Sequence, residues 1–137
     1  MRPVFADTFF WTALVDRTDH WHDAVARYDA SLSPDVRIVT TEEVLVEFAT
    51  QLGTRTERLR RAAALFARDI LDNPGIEVLP QSHGSFLEGL ALFEQRLDKL
   101  YSLTDCISMQ TMRRRQIDEA LTHDRHFMQE GFRVVFR

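Results

Sequence analysis

Hydrophobic positions along this chain switch repeatedly between short unbroken runs and stripes spaced three or four residues apart. Val4-Phe5-Ala6, Arg37-Ile38-Val39, Ile76-Glu77-Val78-Leu79, Glu119-Ala120-Leu121 and Arg133-Val134-Val135-Phe136 have the length and content of strands. A helix is expected directly after the first of them. Trp21, Val25, Tyr28 and Leu32 mark one face of a further helix, which Ser33-Pro34-Asp35 ends with turn chemistry. Thr40-Thr41-Glu42-Glu43 opens the next, with Thr40 and Glu43 spaced as a capping box. Val44, Leu45, Phe48 and Leu52 form its stripe, and Gly53 is placed to end it. Leu59, Ala62, Ala63, Phe66 and Ile70 predict another helix, broken by Asn73-Pro74-Gly75. Phe86, Leu90, Phe93, Leu97 and Leu100 predict a long one. A helix starting at Asp105 and running to about Arg114 follows, and a short one from His123 to Glu130 precedes the last strand.

Short strands alternating with helices require crossover connections, so the expected fold class is α/β, with a parallel sheet covered by helices on both faces. With no repeat, low-complexity tract or linker, residues 1–137 read as a single domain.

Composition narrows the function less than the pattern narrows the fold. Apolar residues make up 45% of the chain and charged residues 28%, the balance of an ordinary globular protein. No apolar run approaches the roughly 18 residues that span a bilayer. Asp7 interrupts the N-terminus before a signal-peptide core can form, so a soluble, cytoplasmic protein with no membrane contact is expected. The lone cysteine, Cys106, excludes an internal disulfide and a cysteine-rich zinc site, and reads as a small buried side chain. A net charge of −4 argues mildly against nucleic acid as a partner. Against that, sixteen of the 17 cations are Arg, whose fork suits phosphate, with clusters at Arg55 to Arg68 and Arg113-Arg114-Arg115. These Arg side chains serve equally well as solvated helix faces, so charge alone does not decide.

The acids carry more information. Asp16, Asp19, Asp23, Asp29, Glu57, Asp69, Glu94, Asp98 and Glu130 read as solvated faces or helix ends. Asp7 follows the first strand directly, and Asp124 comes three residues after the fourth. In an open parallel sheet the carboxyl ends of the strands form the ligand crevice, so both belong to one edge. Asp105 opens a crossover helix whose N-terminus lies at that same edge. Taken singly, Asp105 and Asp7 are also explained as helix caps. On the helix after the second strand, Glu43 serves the capping box and Glu42 the dipole. Glu47 has neither explanation and borders the apolar stripe, which favours it over Glu43 as the functional acid. Four crowded carboxylates repel unless divalent cations neutralise them, and an all-oxygen set suits Mg²⁺ or Mn²⁺ rather than zinc. The pairs His20-x-His22 and His123-x-x-His126 lack a third nitrogen or sulfur ligand, while Trp11 and Trp21 read as core.

In order along the chain, Val4-Phe5-Ala6-Asp7-Thr8, Thr40-Thr41-Glu42-Glu43-Val44-Leu45-Val46-Glu47-Phe48, Leu103-Thr104-Asp105-Cys106-Ile107-Ser108 and Ala120-Leu121-Thr122-His123-Asp124 resemble the motifs of the PIN-domain family. The resemblance extends from Val4 to Val135 and is nearest, by size, to the VapC-type toxin ribonucleases of bacterial toxin–antitoxin pairs. It implies a three-layer α/β/α fold and a Mg²⁺ or Mn²⁺ site built by Asp7, Glu47, Asp105 and Asp124. Thr8 and Thr122 would orient these carboxylates or simply cap the local turns. It further implies hydrolysis of single-stranded RNA leaving a 5′ phosphate, a small antitoxin partner and a homodimer. Two rivals remain open: a structure-specific DNA nuclease, and a PIN module that binds RNA without cutting it.

Overall fold

The computed structural model describes residues 1–137. Five strands, β1 (Arg2–Ala6), β2 (Val36–Thr41), β3 (Ile76–Leu79), β4 (Glu119–Leu121) and β5 (Arg133–Val134), form one parallel sheet in the order β3-β2-β1-β4-β5. Seven helices, α1 (Thr8–Val15), α2 (His22–Ala30), α3 (Glu42–Gly53), α4 (Glu57–Asp72), α5 (His83–Gln95), α6 (Leu103–Arg115) and α7 (Arg125–Gln129), connect the strands. The fold is the expected three-layer α/β/α arrangement. Val4, Phe5 and Ala6 of the central strand are fully buried, as a strand packed on both faces requires. Phe10 and Trp11 of α1, Phe48 and Leu52 of α3, Met109 and Met112 of α6, and Phe127 of α7 close the core around it.

Strand order positions the site. From β1 the chain winds outward through β2 and β3, then returns to lay β4 on the other side of β1, pairing Phe5 with Ala120 and Ala6 with Leu121. The winding direction therefore reverses between β1 and β4, and the crevice at a reversal lies beyond the carboxyl ends of those two strands. Asp7 follows one of them and Thr122 the other.

Several local expectations need correction. The cap of α3 is Thr41, whose Oγ1 accepts from the Val44 amide at 3.1 Å. Thr40 lies one residue earlier, buried in β2, where its hydroxyl donates to the Ala6 carbonyl at 2.9 Å. Glu43 is consequently not a capping-box partner; it accepts from the Ser85 hydroxyl of α5 at 2.9 Å. Asp105 does not open α6. Ser102 caps it, and Asp105 sits at the third helical position, its carboxylate accepting from the Ser102 amide at 3.2 Å while the Ser102 hydroxyl accepts from its amide at 3.0 Å. The helix predicted to reach Leu100 stops at Gln95, because the chain must turn back into α6; Leu100 at φ 58° makes that turn, leaving Leu97 and Leu100 exposed. Helix α7 is shorter than expected, with Asp124 as its cap, and β5 covers two residues rather than four. Asp16 and Glu130 do sit at helix ends, but their carboxylates are enclosed and paired rather than solvated. Asp16 holds Arg55 at 2.9 Å, and Glu130 accepts from Arg96 and Arg113, each at 2.8 Å, and from the Tyr101 hydroxyl at 2.9 Å. Burial alone would raise the Glu130 pKa, but these donors more than offset it and hold the carboxyl at about 2.

The buried face of α5 is also rotated by one residue from the predicted stripe: Gly89 and Leu92 face inward, while Phe86 and Phe93 are partly exposed. Gly89 explains the shift. A Cβ there would lie 2.3 Å from Ile107 Cγ1 and 3.1 Å from the Ile107 backbone, so α6 approaches α5 more closely than any side chain allows. Gly89→Ala is therefore expected to lower stability by about 1 kcal/mol, because overpacking outweighs the gain in helix propensity. It should also reduce activity, since Ile107 lies two residues from Asp105. A urea midpoint unchanged or raised in this variant would contradict the close approach.

Candidate metal centre

A cleft of about 450 Å³ opens beyond the carboxyl ends of β1 and β4, lined by Asp7, Thr8, Glu47, Asp105, Thr122 and Asp124 together with Gln51, Ser102 and His123. All six residues singled out in the sequence thus reach one cleft, and Glu43 does not. The convergence follows from local structure: Asp7 and Asp124 sit at the start of α1 and α7, Asp105 in the first turn of α6, and Glu47 one turn into α3. Helix N-termini carry partial positive charge, which helps hold acids there.

Asp7 is the most constrained of them. It is 5% exposed, and its Oδ2 accepts from the Thr122 hydroxyl at 3.0 Å, while Oδ1 is buried with no partner in the protein. It occupies the cap position of α1 without making a side-chain capping bond. Burial first, then the nearby Asp105 and Glu47 charges, push its pKa up to about 7, although the Thr8 amide and Thr122 hydroxyl favour the ionised form. Asp105 is likewise shifted upward, by burial and then by the Asp124 and Glu47 charges. Thr122 joins the two strand ends. Its hydroxyl donates to Asp7 and accepts from the Asp124 amide at 3.1 Å, so a single side chain sets the relative position of two acids. The Thr8 hydroxyl is buried at the cleft without a partner.

An unpartnered buried carboxylate oxygen beside three more acids is unfavourable unless a cation or proton joins it. The donors are hard oxygens, and they fit Mg²⁺ or Mn²⁺. One nitrogen comes close: His126 Nδ1 lies 3.4 Å from Asp124 and 3.8 Å from Asp105, and these three groups offer ligand atoms within 4.8 Å of one another. In the sequence His126 is set aside as half of a histidine pair without a third ligand, although its spacing of two from Asp124 is readable there. Ser102 was also missed, although Ser102-x-x-Asp105 is itself a capping signature. His22 does not line the cleft; its Nδ1 lies 2.7 Å from the Ala13 carbonyl. Cys106 is fully buried, and burial, followed by the Asp105 charge, pushes its thiol up to about 11.

Removal of the bridging hydroxyl tests this arrangement. Thr122→Val keeps shape but leaves the Asp7 carboxylate and Asp124 amide unpaired. Activity is expected to fall about 10- to 100-fold, as for loss of a group that orients metal ligands. Unaltered kinetics would show that Thr122 only caps a turn.

The family model of the PIN domain matches residues 4–131, a span that includes all the residues lining the cleft. The chain belongs to the PIN-domain family, a family of nucleases. Its structural neighbours include a VapC toxin and VapBC complexes. VapC20 of Mycobacterium tuberculosis, described as a sarcin-ricin loop cleaving toxin, is 29% identical with a TM-score of 0.87, covering 98% of this chain and 99% of that one. The VapBC2 complex of Rickettsia felis, bound to promoter DNA, is 10% identical with a TM-score of 0.72, covering 98% of each chain. DNA-bound VapBC of Salmonella typhimurium is 14% identical with a TM-score of 0.67, covering 99% and 98%. No curated protein sequence matches this one. No helix is long and apolar enough to cross a membrane.

Proposed function

We propose that this protein is a Mg²⁺- or Mn²⁺-dependent endoribonuclease acting on single-stranded RNA, and the toxin of a toxin–antitoxin pair. The observation that carries the reading is Asp7: a buried carboxylate with one unpartnered oxygen, fixed by Thr122 and facing Asp105, Asp124 and Glu47. These four acids would hold the metal, with His126 as an additional donor beside Asp105 and Asp124. When bound, such ions neutralise charge on the phosphodiester and lower the pKa of water.

The chain's own residues prepare that chemistry. Thr122 holds Asp7 and Asp124 in register, and the Ser102 amide orients Asp105 through the helix cap. Glu47 and Gln51, one turn apart on α3, also line the cleft. Because Asp7 has a pKa near 7, it exchanges its proton for a cation at little cost around neutrality.

The likeness to VapC20 makes the sarcin-ricin loop the first substrate to test. Purified protein should cut intact ribosomes or a synthetic stem-loop in the presence of Mn²⁺ and leave a 5′ phosphate, with EDTA abolishing the reaction. Cleavage of DNA but not RNA would favour the structure-specific DNA nuclease, and tight RNA binding without cleavage the non-catalytic module. The antitoxin partner is supported by the neighbours' VapBC complexes and by the acids themselves, among which a basic side chain of the partner would substitute for metal.

A further inference from the structure

Beside the acidic cleft lies a second depression of about 230 Å³, between the end of the sheet and α7. It is lined by His123, Arg125, Met128, Val134, Phe136 and Arg137. His123 lines both hollows, so they adjoin at that side chain. We propose that this depression is a nucleotide subsite: it seats the base of a nucleotide next to the scissile phosphate, while Arg125 and Arg137 hold neighbouring backbone phosphates. The inference rests on the RNA-cleaving reading and adds the residues that would choose and grip the substrate.

Three observations carry it. The first is a fixed aromatic ring at an exposed position. His123 is exposed, yet its Nδ1 lies 3.0 Å from the Phe136 carbonyl and its ring centroid 4.5 Å from that of Trp21, tilted by 38°. A carbonyl only accepts, so Nδ1 carries the ring proton, and Nε2 makes no bond within the protein. A ring held in this way is ready for a base at no further ordering cost.

The second is size and lining. An apolar cavity of about 150 Å³ accommodates benzene, so this larger hollow has room for a nucleobase. Phe136 and Val134 form its floor and Met128 its exposed rim, a surface that suits a flat π-system.

The third is charge. The Arg113, Arg114 and Arg115 side chains are each paired with acids, at Glu130, Glu88 and Glu77, and Arg96 also pairs with Glu130. Arg125 and Arg137 have no acidic partner, and both border the depression. In a chain of net charge −4, two unpaired guanidinium groups beside the acid cleft are where an RNA backbone finds its counter-charge.

The test measures fluorescence anisotropy with labelled single-stranded oligouridylates, intact or carrying one abasic position scanned along the strand. The full chain carries Asp105→Asn so that the probe survives. In this parent, an abasic residue at one position is expected to weaken binding about tenfold, the effect of losing one stacked base. Met128→Trp, which fills the hollow from an exposed position, should erase that position-specific penalty. Arg125→Ala and Arg137→Ala should each weaken binding severalfold and lower the log–log salt slope by about 0.7. Arg58→Ala, on the exposed face of α4, should change neither. His123→Ala should act like Met128→Trp; because its ring packs on Trp21, the exposed Arg and Met variants carry the test if it folds poorly. If the chain cuts RNA while these variants bind and discriminate as the parent does, the subsite is refuted and the nuclease reading stands. If the chain neither binds nor cuts any RNA, both fall together.

Discussion

Asp105→Asn is expected to lower RNA cleavage by on the order of 10³-fold while leaving the protein folded. Loss of a single preorganised electrostatic contact to a transition state already costs roughly 10²- to 10³-fold, and Asp105 is read here as a direct ligand. The fold is spared because Asn keeps the capping role: its side-chain oxygen still accepts from the Ser102 amide, now at 3.2 Å. Removing the charge also relieves a carboxylate that burial and Asp124 both disfavour when ionised. The metal-free variant should therefore melt at or above the wild-type temperature, so that loss of activity and gain of stability occur together. Wild-type cleavage by this variant on a validated substrate would remove Asp105 from the site.

The Asp7 contribution to the stability of the metal-free protein should fall as pH rises from about 4 to 7, opposite to the trend of acids such as Glu130 that gain donors on folding. The native pKa of Asp7 is about 7, against an ordinary value of 3.8. Between these values the native state holds a proton that the unfolded chain has released. Its contribution is fully present below the unfolded pKa and is lost as pH passes the folded one. At 1.36 kcal/mol per tenfold change in proton affinity, the contribution is on the order of 4 kcal/mol. Asp7→Asn should flatten the profile. Mn²⁺ should restore stability at neutral pH, by about 2.7 kcal/mol at 100 times its dissociation constant. That corresponds to a melting shift of roughly 5 to 10 °C, reversed by EDTA and reduced in Asp7→Asn and Asp124→Asn but not in Asp98→Asn. Thermal melts across pH, with and without Mn²⁺, check both expectations. A melting temperature indifferent to saturating Mn²⁺ would remove the chemical basis of the proposed function.

What the sequence made legible follows the sheet. Asp7 and Asp124 could be placed at one edge because they follow apolar runs that had to be parallel strands, and a parallel sheet has only one carboxyl edge. Glu47 could be separated from Glu43 because Glu43 had a local use, although that use proved to be Ser85 rather than a cap. The parts that stayed hidden depend on contacts with no periodic signature. Gly89 is the point where α5 meets α6, yet a glycine adds nothing to an apolar stripe, so the face was read one residue away. Glu130 looked like a solvated acid because its partners lie 17 to 34 residues away, Arg96 and Tyr101 in the α5–α6 connection and Arg113 near the end of α6. His126 was passed over because two histidines alone do not make a metal site, and the carboxylates beside it arrive only in the fold.

The hydroxyl that ties Asp7 to Thr122 spans 115 residues of sequence. One side of the cleft is synthesised near the beginning of the chain and the other near its end, with β4 inserting beside β1 only after three strands and six helices have been made. A ribosome extending the chain by roughly 5 to 20 residues per second therefore carries Asp7 for several seconds before Asp124 exists. Through that interval the nascent chain has an incomplete set of acids and no assembled cleft. The wiring of the sheet thus ties completion of the cleft to the late arrival of β4 and α7.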